Sequence, residues 1–206
     1  ALKNRTAQSL TNAWKDMHKT FTKTNNAPKI YILDNEKSTE IINAFKDNNV
    51  LYQLVPPHSH RTNMAERAIQ TFKDHFKAGL ATCDPNFPLS EWDRLLPQAV
   101  ITLNLLRPSR ARPNISAYAY LFQDFDFRST PLAPPGTKVI AHVKPSNRNS
   151  WDLNGTAGYY VGPALQHYRC VTCYFPRTRS ERVCDTVRFI PNIIPLPQTN
   201  IDTYLR

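Results

Sequence analysis

Two carboxylates carry the chemical interest of this chain. Glu66 stands in the run PPHSHRTNMAER, Pro56 to Arg67, where a long helix begins. Asp34 closes the apolar run Ile30-Tyr31-Ile32-Leu33. A residue just past the carboxyl end of a strand lies where open α/β sheets bind their ligands. An acid at the start of the helix after the neighbouring strand would reach the same edge. Two such anions repel unless a cation lies between them. Carboxylate oxygens suit Mg²⁺ or Mn²⁺, and carboxylate-held metal ions serve in-line displacement at phosphodiesters. Each acid also has a structural role open to it. Asp34 can start a turn or cap the next helix, and Glu66 can close a capping box with Asn63.

The charge balance agrees with a polyanionic partner. The 206 residues carry a net charge of +10. Up to Thr130 there are 17 Lys and Arg against 12 Asp and Glu, and beyond it 9 against 4. Both halves are therefore basic, which favours nucleic acid. No apolar stretch approaches the roughly 18 residues a membrane span needs. The start of the chain has no signal-peptide pattern, so secretion is not expected. Four Cys do not make a disulfide framework at this length, which points to a reducing compartment. The chain starts at Ala1 and reads as a piece of something longer.

The elements that must position the acids follow from periodicity. Leu10, Trp14, Met17 and Phe21 sit at helical spacing within residues 8–21. Lys29 to Asp34 reads as a buried strand, residues 39–47 as a helix, and Leu51 to Val55 as a second strand. That alternation is the rhythm of a parallel α/β layer. A loop with two prolines, His58 and His60 leads into a helix over Met64 to Thr82. Its expected apolar stripe is Ala65, Ile69, Phe72, Phe76 and Leu80, with Gln70, Lys73 and Lys77 off it. A further helix over Ser90 to Leu106 should bury Trp92, Leu95, Leu96, Ala99 and Leu103, with a break or kink at Pro97. The Pro-rich stretch Thr130 to Lys138 marks a boundary. Short strands follow at 139–143, 158–162, 168–175 and 182–190, the texture of a small β barrel.

Asp34-Asn35-Glu36 after an apolar strand, then PPHSHRTNMAERAIQTFK, resembles the core of retroviral and LTR-retrotransposon integrases. Asn63, Ala65, Glu66 and Arg67 match the family's helix start. The stretch Asn104 to Phe122 is similar to the end of retrotransposon cores. Trp151 to Cys170 and Asp185 to Pro191 look like the SH3-like domain that follows it. The resemblance implies an α/β ribonuclease H-like core over 1–130, an SH3-like β barrel over 131–195 and a tail over 196–206. It implies Asp34 and Glu66 as catalytic metal ligands for Mg²⁺ or Mn²⁺, the second and third acids of an Asp, Asp, Glu triad. It implies 3′-end processing and strand transfer on DNA, in the nucleus, by a homo-oligomer. Arg67, Lys73 and Lys77 on the Glu66 helix would touch DNA. So would Arg177, Arg179 and Arg182 around the turn PRTRSER.

The chain departs from that family in three ways. The stretch from Asp34 to Glu66 is a few residues short, with Asn35-Glu36-Lys37 where the family has a Gly-rich turn. The strand bearing the first Asp, with its neighbours, would lie before Ala1, and Asp16 falls inside a helix. The His/Cys zinc domain that often precedes the core is absent. The expectation is an N-terminally truncated core, inactive alone, with a non-enzymatic DNA-binding remnant and a ribonuclease H-like nuclease as alternatives. A zinc site at His167, Cys170 and Cys173 is disfavoured, because one such motif supplies too few ligands.

Overall fold

The computed structural model describes residues 4–33, 38–55 and 64–191. The chain is mixed α/β and packs as two compact units. The first holds the described residues up to Asp74 together with Ile101–Phe125; the second holds His75–Val100 and the described residues from Asp126 onward. The sequence divides the chain at Thr130, whereas by packing the strand-rich unit also takes in residues 75–100. Among the described residues, no helix is long and apolar enough to cross a membrane.

The first unit is built on helix α1 (Ala7–Lys23), strand β1 (Ile30–Leu33), helix α2 (Thr39–Asp47) and strand β2 (Leu51–Leu54). Thr6 and Ser38 cap the two helices, accepting from the Ser9 and Ile41 amides. Asn25 and Asn49 end them in the left-handed region, which Asn tolerates better than most residues. The strands pair in parallel, Ile30 with Leu51 through Leu33 with Leu54. Their inner face, Tyr31, Leu33 and Tyr52, packs against Trp14, Ala44, Phe45 and Val50. Phe45 is fully buried and meets Trp14, Tyr31 and Tyr52 at 4.7, 5.7 and 5.7 Å between rings. The opposite face is open, with Ile32 66% and Leu51 68% exposed. Of the expected helix stripe only Trp14 is deeply buried; Leu10 and Met17 are exposed.

Helix α3 (Met64–Ala81) forms where its periodicity places it, but the stripe is only half used. Ile69 is 54% exposed, and every residue from Met64 to Gln70 is on the surface. Phe76 and Leu80, in the second unit, do pack inward, against Cys83, Phe87, Leu95, Val161 and Tyr174. The predicted 90–106 helix divides: a 3-10 helix over Leu89–Leu95 gives way to α4 (Leu96–Leu106), with Pro97 in the first α-helical turn. Pro97 thus starts a helix, where its missing N–H costs little. Trp92 is 45% exposed, so the expected buried face shrinks to Leu95 with partly buried neighbours. A short helix α5 (Ala117–Phe122) was not anticipated; Ser116 caps it, accepting from the Ala119 amide.

The strands of the second unit are β3 (Lys138–His142), β4 (Gly155–Pro163), β5 (Val171–Phe175), β6 (Ser180–Cys184) and β7 (Val187–Ile190). They form one antiparallel sheet in the order β6-β5-β4-β3-β7. The expected single run at 182–190 is two strands, because Asp185-Thr186 interrupts it. Among the described pairings the ladder does not close between β6 and β7, so the barrel expectation holds only as far as a five-stranded antiparallel sheet. Both faces bury residues. One gathers Val139, Ala141, Tyr160, Val171, Cys173 and Phe175; the other holds Val161 and Tyr174 under residues 76–95. The first face was legible from period-two alternation. The second was not, since nothing local marks residues 76–95 as its cover.

Candidate functional site

The parallel pairing of β1 and β2 fixes the edge that matters. Leu33, the last residue of β1, pairs with Leu54, the last of β2, and the Val55 amide donates to the Leu33 carbonyl at 2.8 Å. Both strands therefore end at one edge. The chain continues from β1 into Asp34 and from β2, after Val55, into residues 56–63. This βαβ arrangement needs the α2 crossover, and the amphipathic 39–47 segment supplies it. Asp34, His58, His60 and Asn63 lie outside the described residues, so neither the carboxylate pair nor the capping box has a described geometry.

Glu66 is the acid in the first turn of α3, with its side chain on the surface. A carboxylate there complements the partial positive charge of the helix start. Arg67 and Lys73 are exposed on the same helix in the first unit, and exposed Lys77 lies on its continuation in the second. Lys73 follows Glu66 by seven residues, two turns, so both project from one side of the helix. Gln70 donates to both Asp74 carboxylate oxygens, at 2.9 and 3.1 Å, keeping that acid engaged along the helix.

Arg177, Arg179 and Arg182 belong to the β5–β6 hairpin and are exposed. The turn is held by the Thr178 amide donating to Phe175 and the Arg179 amide to Pro176, at 3.2 and 3.3 Å. Arg179 itself adopts φ +49°. Arg182 lies with its guanidinium 3.9 Å over the Phe175 ring, which fixes it against the sheet. The cluster is a basic turn with one anchored cation, and the carboxylate within it, Glu181, is engaged by Arg94.

Among the described residues, no group of three or more His, Cys, Asp or Glu could hold a metal ion. The one described member of the expected acid pair is Glu66, in the first turn of α3. Its oxygens fit a hard cation, and the other half of the expected set, Asp34, is undescribed. His167, Cys170 and Cys173 form no such group. A basic ridge on α1, Lys15, Lys19 and Lys23, was missed at the sequence level although its four-residue spacing was readable.

No protein-family model matches the chain, and no curated protein matches it. Among solved structures, the chain is similar to one in the cryoEM structure of a simian T-cell lymphotropic virus intasome in complex with PP2A regulatory subunit B56 gamma. The likeness has a TM-score of 0.45 and 14% identity, over 94% of this chain and 67% of that chain. At that level it carries no argument about the chemistry of this chain.

Proposed function

We propose that this chain is part of a DNA-integrating polynucleotidyl transferase of the retroelement integrase type. In this reading residues 1–130 are the later part of a ribonuclease H-like core, and the five-stranded sheet is an SH3-like domain. The observation that carries it is the shared edge: β1 and β2 end together in parallel register, one running into Asp34 and the other toward the Glu66 helix. Asp34 and Glu66 would hold Mg²⁺ or Mn²⁺, whose charge activates the attacking oxygen and stabilises the leaving one. The chain's own contribution is to position these two acids from a strand end and a helix start, and to offer Arg67, Lys73 and Lys77 to the DNA backbone. The partners are element ends and target DNA, the working form is a homo-oligomer and the compartment is the nucleus.

The test is a joining assay on labelled duplex ends with the upstream strands of the core supplied. Asp34→Asn and Glu66→Gln should each cost about 10²-fold or more in product, the scale of losing a transition-state charge contact. A reconstructed protein whose joining is unaffected by either change ends this reading. A non-enzymatic DNA-binding role is the second reading. It is favoured by the net charge of +10, with both halves of the chain basic. It predicts binding with a steep salt dependence and no turnover.

A further inference from the structure

Helix α1 carries a basic feature that the reading above does not use. Lys15, Lys19 and Lys23 recur every four residues, so they stand in one ridge along the helix. At 1.5 Å per residue, successive ammonium-bearing positions rise by about 6 Å. All three side chains are exposed. They line a groove of about 640 Å³ with Trp14, His18 and Asn48. Among the described residues, no carboxylate lies within ion-pair distance of any of the three. Asp16, on the same helix, and Asp47, next to the lining residue Asn48, do not line the groove. Three like charges in one row on a helix, none of them in a described ion pair, repel one another, and a polyanion relieves that repulsion.

The floor of the groove decides which polyanion. Proteins that grip single strands offer open aromatic faces on which bases stack. Here the aromatic faces are taken. Trp14 is 6% exposed, stacked on His18 at 5.0 Å and edge-packed against Phe45 and Tyr31 at 4.7 and 5.7 Å. His18 is further engaged by the Tyr31 hydroxyl, 3.2 Å from its Nδ1. What remains available is a row of ammoniums, suited to phosphates and blind to bases. We propose that the Lys15–Lys19–Lys23 ridge of α1 is a sequence-independent docking site for the phosphodiester backbone of duplex DNA. It goes beyond the reading of Asp34 and Glu66 and stands whether or not those acids are catalytic.

The experiment is fluorescence anisotropy of the whole chain with a short random-sequence duplex over a series of KCl concentrations. Lys15→Gln, Lys19→Gln and Lys23→Gln together should make the log–log salt slope shallower by about 2.7, three phosphate contacts at about 0.9 each. The same three changed to Arg should keep the wild-type slope. A charge-matched control, Arg5, Lys29 and Lys46 all changed to Gln, should move the slope by less than about 0.9. If the glutamine ridge variant loses its helical circular dichroism, Lys19→Glu alone replaces it, with an expected loss of about 0.9 or more. Equal slope changes in ridge and control variants overturn the proposal, because net charge alone then explains binding. It is also overturned if polyglutamate displaces the labelled duplex as well as unlabelled duplex does, since the groove then takes acidic protein. None of these outcomes bears on Asp34→Asn or Glu66→Gln in the joining assay, so the two readings fail separately.

Discussion

Arg94 donates from Nη1 to a Glu181 carboxylate oxygen at 2.6 Å, joining residues 87 positions apart. Its Nε donates to Glu91 at 2.5 Å, and its guanidinium lies 4.6 Å over the Tyr174 ring. One side chain thus ties the 3-10 helix before α4 to the β5–β6 hairpin. The Arg94 hydrogen bond holds the Glu91 carboxyl below the usual glutamate range. A carboxyl depressed in the folded state stabilises the fold above its unfolded pKa, and that stabilisation is lost as pH falls through the folded value. Arg94→Leu should therefore lower the melting temperature at pH 7. The gap to the wild type should narrow once the pH drops below the ordinary glutamate range. Melting curves at neutral pH and at about pH 3 read it directly; a gap that does not change with pH removes the ion pair from the account.

How far this arrangement was legible depends on the range of the interaction. Helix α2 over 39–47 and the strands starting at Ile30 and Leu51 were readable because their signals are local: Ile41 and Phe45 on one face, β-branched and aromatic strand residues. Glu66 at a helix start was readable for the same reason. Ile69 was misplaced because periodicity reports which residues share a face and is silent on whether anything covers that face. Arg94 with Glu181, and Phe76 and Leu80 beneath Tyr174, were invisible because no pattern in either segment names the other. The 182–190 run was misread as one strand because Asp185-Thr186 breaks it without a Gly or Pro.

The four cysteines should differ sharply in reactivity. Cys184 lies opposite Val171, and Cys173 lies opposite Arg182 on the adjoining strand, so both thiols share one face of the β5–β6 pair. Cys173 is fully buried and half-buried Cys184 lies beside it. Hydrogen bonding with the neighbouring Cys173 side chain, with the positive field of Arg182, lowers the Cys184 thiol to about 7. That same hydrogen bond, with burial, pushes Cys173 up, and burial alone pushes Cys83 up to about 11. Maleimide labelling followed by mass spectrometry should find Cys184 modified well before Cys83 or Cys173, with a rate midpoint near pH 7. Arg182→Gln should move that midpoint upward. A Cys184 midpoint near that of a free thiol contradicts the geometry.

Two glycines should respond oppositely to alanine. Gly136 has φ +68°, and a Cβ there would lie 2.5 Å from Cys83 Sγ and 2.8 Å from its Cβ. Its amide donates to the Tyr160 carbonyl at 2.9 Å and its carbonyl accepts from the Asp84 amide at 3.2 Å, so the backbone is held on both sides. Gly136→Ala should cost about 2–4 kcal/mol, combining left-handed strain with overpacking. Gly79 sits inside α3, and its added Cβ would meet only Pro135 Cγ, at an ordinary 3.5 Å. Gly79→Ala should stabilise by about 0.5–1 kcal/mol, the propensity gain of a helix interior. Denaturant midpoints of the two variants should move to opposite sides of the wild type.

The two faces of the β1–β2 sheet should also separate under mutation. Phe45 is fully buried among Trp14, Tyr31 and Tyr52, so Phe45→Ala should cost about 3–5 kcal/mol, transfer and cavity together. Ile32 and Leu51 point away from that cluster and are mostly exposed, so Ile32→Thr with Leu51→Thr removes little burial. The pair should change stability by less than about 1 kcal/mol, as surface substitutions do. Their solution behaviour should change far more. An open apolar face on a two-stranded sheet invites association between copies, and hydroxyls there discourage it. Light scattering on warming should show later aggregation for the double threonine variant at unchanged unfolding midpoint. A large loss of stability would instead mean that this face is covered, and the β1–β2 sheet would have to be placed in the interior.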